Sequence, residues 1–128
     1  MKTLYILRHA KSSWDNPSLA DFERPLNERG LKTAPFMGEI MLKNNFKPEL
    51  LLSSPAVRAK ETVSLIKTSA KWQTKINFDE RIYEASPQTL LNIVGELDKT
   101  AESAMIIGHN PGLEGLIKFI SVKSNVRL

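Results

Sequence analysis

The stretch that decides the fold is Thr3-Leu4-Tyr5-Ile6-Leu7-Arg8-His9-Ala10. Residues 3–7 are β-prone and almost free of polar side chains, and the run stops abruptly at Arg8-His9. A continuous apolar run of this kind reads as a strand buried on both faces, as in a parallel sheet covered by helices. In open α/β sheets, chemistry collects in the loops that follow the carboxyl ends of strands. Arg8 and His9 stand at such an end and are the first candidates for a functional site.

The segments that follow alternate in period. Lys11 to Arg24 is too polar for a core and reads as an ordered loop beside the site. Its Trp14 fits either over a pocket or half-buried on the body, and Ser18 to Asp21 is a candidate contact for a partner protein. Pro25-Leu26-Asn27 leads into a first helix with Asn27 as its N-cap. Leu31, Ala34, Gly38, Met41 and Leu42 form its apolar face. Pro35 predicts a kink near Leu31 or a regular helix starting close to Ala34. Leu50 to Leu52 is a second strand, and Ser53-Ser54-Pro55 starts a helix with proline at its first position, running to about Ser69. Ala59, Val63 and Ile66 face inward there.

Ile76 to Asp79 is a third, weaker strand. Ser86-Pro87 opens a helix carrying Leu90, Leu91, Val94 and Leu97. Ala104 to Ile107 is the fourth strand, ending at Gly108-His109, and Asn110-Pro111 caps a last helix over Leu113 to Ile120. Residues 121–128 trail off. The alternation predicts an α/β fold: three layers, with a mostly parallel central sheet flanked by helices.

Composition narrows the function classes. The chain has 128 residues, 41% of them hydrophobic, which suits one domain over residues 1–128. No apolar run approaches the roughly 20 residues that span a bilayer, and the chain opens on a strand rather than a secretory signal. Neither a membrane nor a nucleic-acid partner is expected: the net charge of +4 is scattered, without a dense basic run or interleaved aromatics. Cysteine is absent, which excludes thiol chemistry. A cytoplasmic location is the default expectation.

The chain has two histidines, His9 and His109, and each stands just beyond an apolar strand. In a parallel sheet those ends share one edge, so positions a hundred residues apart can face one pocket. Arg58 falls in the opening turn and a half of the second helix, where free N–H groups and the helix dipole favour an anion. A surface arginine paired with Glu61 or Glu28 is the bland alternative. Two guanidinium groups, Arg8 and Arg58, converging on two histidines match phosphate, whose oxygens fit their planar donor fork. A zinc site would need a carboxylate with the two histidines, and the arginines would repel the cation; no metal and no cofactor are expected.

This set fits nucleophilic transfer through histidine. An unprotonated ring nitrogen of His9 attacks phosphorus, Arg8, Arg58 and His109 hold the non-bridging oxygens, and a carboxylic acid protonates the leaving atom. Neither arginine can be that acid, since both stay protonated.

The sequence resembles the histidine phosphatase superfamily, with its phosphoglycerate-mutase-like fold, and most closely the short SixA-like phosphohistidine phosphatases. The resemblance runs from Tyr5 to about Leu116. It rests on Arg8-His9, Arg24-Pro25-Leu26 to Gly30, Ser53-Ser54-Pro55 with Arg58-Ala59 and Glu61-Thr62, and Gly108-His109-Asn110-Pro111. It implies His9 as the phosphorylated nucleophile in a pocket of Arg8, Arg58 and His109. Ala10 stands where many members carry glycine. The family's acid, in a segment resembling Asp79-Glu80-Arg81-Ile82-Tyr83, selects Glu80, with Glu84 the alternative, and Arg24 corresponds to an arginine at the pocket rim. Ser54 and Thr62 read as cap and packing residues.

No long insertion separates the third strand from the next helix, so no lid is expected. An open site suits phosphohistidine in a protein such as a histidine-phosphotransfer domain; small phosphate esters, or phosphate recognition without turnover, are the alternatives. Relatives continue through another strand and helix beyond the position of Ile120, and loss of a sheet strand would expose an edge.

Overall fold

The computed structural model describes residues 3–124. Four strands, β1 (Thr3–Arg8), β2 (Leu50–Ser53), β3 (Ile76–Phe78) and β4 (Ser103–Gly108), form one sheet in the order β1-β4-β2-β3. All three strand pairings are parallel. Four helices accompany it: α1 (Glu28–Lys43), α2 (Val57–Ala70), α3 (Pro87–Gly95) and α4 (Gly112–Ser124).

The sheet separates two cores. Leu51, Met105 and Ile107 meet Ala34 of α1 and Ala59, Val63 and Ile66 of α2 on one face. Leu52 and Ile106 meet Leu90 and Ile93 of α3 and Leu113 and Leu116 of α4 on the other. Successive residues of β2 and β4 thus alternate between helix layers, the period-2 consequence of the pleat. The three-layer α/β expectation holds.

The strand buried on both faces is β4, flanked by β1 and β2, and not β1 as its composition suggests. β1 lies at the edge of the described sheet, with Thr3, Tyr5 and Arg8 exposed. Tyr5 packs edge-on against Phe46, ring centroids 4.3 Å apart, which accounts for an aromatic on an edge strand.

Asn27 caps α1 as expected, its side chain accepting from the Gly30 N–H. The helix then runs without a break from Glu28 to Lys43 with Pro35 inside it, so neither expected disruption occurs. Proline removes the N–H that would bond the Leu31 carbonyl. The Pro35 carbonyl is tied down by the Ser69 hydroxyl of α2 at 2.8 Å. Leu31 and Leu42, expected to face inward, are exposed; Gly30, Ala34 and Gly38 form the contact face because α1 lies close against its neighbours.

Helix α2 starts at Val57 with Ala56 as a cap lacking any side-chain bond, two residues later than the Ser54-Pro55 signal predicts. The Ser54 hydroxyl is used elsewhere. Ser86 does cap α3, accepting from the Thr89 N–H, with Pro87 at the first position. Helix α4 continues past Ile120 to Ser124 rather than trailing off at 121; residues 125–128 of that expected tail lie outside the described residues.

Candidate active site

Strand register brings the two histidines together. Arg8 pairs with Gly108, so the next residue of each strand leaves the sheet beside the other. The His9 N–H donates to the Gly108 carbonyl at 3.2 Å. The imidazole centroids are 5.1 Å apart. On the other side of β4, the Ser54 N–H donates to the Ile107 carbonyl at 2.9 Å, placing Ser54 at the same edge.

The His9 tautomer follows from its partners. Nδ1 lies 2.7 Å from the Ala10 carbonyl oxygen, which can only accept, so Nδ1 carries the proton. The Arg58 Nε–H donates to His9 Nε2 at 3.3 Å, so Nε2 presents its lone pair. Burial, reinforced by the charges of Arg58, Arg8 and Arg24, holds the His9 pKa below 6.5 against the opposing pull of the Ala10 carbonyl. Thr62 steadies this corner, accepting from the Ala10 N–H at 3.0 Å and donating to the Arg58 carbonyl at 2.7 Å.

His109 is also kept neutral. Burial first, then Arg58 and His9, lower its pKa to about 4. Its Nε2 lies 2.8 Å from the Ser54 hydroxyl, which also accepts from the Ala56 N–H. Its Nδ1 is buried without a hydrogen-bond partner. A buried, unpaired ring nitrogen costs free energy.

Arg58 is 7% exposed, and its partner is Asp21 rather than Glu61 or Glu28. The Asp21 carbonyl accepts from one terminal nitrogen at 2.7 Å and its carboxylate from the other at 3.0 Å. The same carboxylate accepts from Tyr83 Oη at 2.7 Å and from Arg24 at 3.1 Å. With the Tyr83 hydrogen bond as the largest cause, the Asp21 pKa falls to about 2. Burial and the adjacent Asp21 carboxylate raise that of Tyr83, which therefore stays a donor. Tyr83 packs edge-on against His109 at 5.6 Å. Asp21 thus faces the site.

The loop expected to be ordered is ordered by its base. Ser12 bridges to Leu26, the Asn27 N–H donates to the Lys11 carbonyl at 2.9 Å, and Glu61 accepts from the Leu26 N–H at 2.9 Å. A Cβ on Gly30 would collide with the Lys11 carbonyl oxygen, so only glycine lets α1 pass there.

Arg8, His9, Arg24, Arg58 and His109 line one cavity of about 410 Å³. Arg24 is present at that rim, but its guanidinium is committed to the Ser13 carbonyl, Asp21 and the Ser12 hydroxyl. Trp14, 77% exposed, lies over it with the guanidinium carbon 3.2 Å from the ring centroid. Trp14 is therefore a rim residue, not one half-buried on the body.

Glu80 sits apart from this cavity. It is exposed and lines neither this cavity nor the adjoining one of about 810 Å³, whereas Glu84 lines the latter with Arg58 and His109. The short 3-10 turn Glu80–Ile82 explains this: it buries Ile82, and Glu80 is left at the surface. Glu84 has φ 53°, a left-handed conformation uncommon for a residue with a side chain and one that recurs at functional sites.

Asp21, Tyr83 and Ser54 were not legible as site residues. Thr62 carried one signal, a polar residue on the otherwise apolar face of Ala59, Val63 and Ile66. Among the described residues no cluster of three metal-binding side chains occurs, and no helix is long and apolar enough to cross a membrane.

The chain is 31% identical over 129 residues to an uncharacterized chloroplastic protein of Arabidopsis thaliana, covering 94% of itself and 59% of that protein. Its structure superposes on a SixA candidate phosphohistidine phosphatase of Agrobacterium tumefaciens with TM-score 0.85 and 30% identity, covering 92% and 75% of the two chains. A phosphoglycerate mutase of Plasmodium falciparum shares the fold at 17% identity and TM-score 0.60, with 98% and 70% covered. The model of histidine phosphatase superfamily branch 1 matches residues 4–105, and the chain belongs to that superfamily.

Proposed function

We propose that this is a cytoplasmic phosphatase that transfers a phosphoryl group to His9 and then to water, acting on phosphohistidine in a protein such as a histidine-phosphotransfer domain. One observation carries the reading: the fixed His9 tautomer, with Nδ1–H on the Ala10 carbonyl and an unprotonated Nε2 beside Arg58. A purely phosphate-binding module has no need of a nucleophile held ready in this way.

In the first half-reaction the Nε2 lone pair forms the N–P bond as the bond to the leaving atom breaks. Arg8, Arg58 and His109 receive the phosphoryl oxygens and offset the charge that develops on them. Glu84 gives its proton to the leaving atom, or none is needed when a phosphoramidate nitrogen arrives protonated. In the second, Glu84 takes a proton from water, which attacks phosphorus and returns the electron pair to Nε2. Arg24 adds positive charge at the rim and holds the loop.

Residues 79–86, between β3 and α3, form only a short turn and no lid, which favours a side chain presented by another protein. The 810 Å³ cavity favours a second reading, small phosphate esters.

Intact mass after acid-free quenching with a phosphohistidine donor tests the proposal. A phosphoryl adduct in the wild type that is missing in His9→Ala supports it. Undiminished turnover in His9→Ala overturns it, and phosphate binding without turnover of any donor moves the chain to the recognition class.

A further inference from the structure

The cleft is divided into two chambers with opposite charge. Asp21, Arg58, His109 and Asn110 form a wall common to both. Beyond that wall the smaller chamber carries three cations, Arg8, Lys11 and Arg24, and no carboxylate. The larger carries Glu84 and Glu114 against Lys118. The arginines claim the phosphoryl oxygens for the smaller chamber, and the rest of the substrate must occupy contiguous space.

Resting on the phosphatase reading above, we propose that the larger chamber is the leaving-group subsite. It selects a phosphoryl group carried on a cationic group over one carried on an anionic group, with Glu114 as the specificity determinant. Glu114 is held against the common wall by a reciprocal pair: its carboxylate accepts from Asn110 Nδ2 at 3.1 Å, and its N–H donates to Asn110 Oδ1 at 3.2 Å. A leaving group passing Asn110 therefore meets a fixed carboxylate.

The first turn of α4 borders the same chamber, and a helix N-terminus would favour an anion. Three of its donors are already taken: Leu113 N–H by the His109 carbonyl, Glu114 N–H by Asn110 and Gly115 N–H by the Pro111 carbonyl. Gly115 keeps the floor of the chamber close, since a Cβ there would strike the Pro87 ring of α3. Among the described residues Lys118 is the one cation that lines the chamber beyond the wall, against the two carboxylates Glu84 and Glu114.

Three N-phosphorylated imidazoles with the same leaving nitrogen test this: those of histamine (cationic), imidazole (neutral) and imidazole-4-acetate (anionic). The ratio of kcat/KM for the cationic over the anionic donor reads the chamber's preference independently of the fraction of active enzyme. We expect about tenfold in the wild type, as a charge a few ångströms from another at the protein surface gives. Added salt should narrow it. Glu114→Gln should flatten the ratio and Glu114→Lys invert it. A ratio near one, or one unmoved by Glu114→Lys, overturns the proposal and leaves the phosphatase reading standing. No turnover of any of the three by the wild type overturns the subsite proposal, while the His9 adduct with a phosphohistidine donor decides the phosphatase reading separately.

Discussion

Arg58 Nε lies 3.3 Å from His9 Nε2, so the arginine that awaits the phosphate also keeps the proposed nucleophile free of a proton. Protonating His9 would set two cationic groups in contact. Activity should therefore fall on an acid limb below 6.5, the ordinary histidine value that burial and Arg58 push down. Arg58→Gln, which removes one of those charges, should move the limb to higher pH in a kcat/KM profile. A limb that stays put in this variant would argue against the coupling.

Stability should follow the same protons. Unfolded histidines bind protons near 6.5, whereas folded His109 does so only at about 4. Between these values the unfolded state binds more protons, so stability is full above 6.5 and is lost as pH falls toward 4. The loss should be about 1–2 kcal/mol after allowing for solvent screening. Asp21 adds a second loss between 3.8 and about 2, where its folded carboxylate stays ionised and its unfolded one does not. Urea unfolding at pH 7.5, 5.5 and 4.5 measures the first window.

Ser54→Ala should uncouple His109 without emptying the cavity. The hydroxyl is fully buried and serves both His109 Nε2 and the Ala56 N–H. Its removal should cost about 1–3 kcal/mol and lower kcat more than it raises KM, because both groups lose their partner. Denaturant midpoints and steady-state kinetics check the two parts separately.

Asp21→Asn keeps an acceptor for Arg58 and Arg24 but removes the charge that competes with substrate. Inorganic phosphate should bind several-fold tighter and inhibit more strongly, a coulombic effect of one unit charge. Calorimetric titration with phosphate gives the sign. Weaker binding would mean that Asp21 positions Arg58 more than it opposes the anion.

Glu84→Gln should reduce turnover of an alkyl phosphate ester by about 10²-fold or more, as loss of a general acid does. Glu80→Gln should change it little, since Glu80 lines neither chamber. The reverse order would restore the assignment that the resemblance alone suggests.

Much of the fold was legible in the chain because strands and helices announce themselves locally. The run into Arg8-His9, Asn27 as a cap and Ser86-Pro87 each act over a few residues; the cap and the helix start form as written, and the run forms a strand, though at the sheet edge. Strand ends also carry His9 and His109 to one edge by a rule that needs only parallel pairing. Which strand lies central was not legible, since β1 and β4 are similarly apolar and pairing order is set by long-range packing. The same holds for Asp21, whose polar loop resembles any solvated loop until its carboxylate is placed between Arg58, Arg24 and Tyr83. Glu80 and Glu84 are four residues apart and both exposed, and only the turn between them decides which of the two lines a cavity. Sequence determined the elements and the chemistry at their ends; tertiary structure decided which side chains share a cavity, because that depends on contacts between residues far apart in the chain.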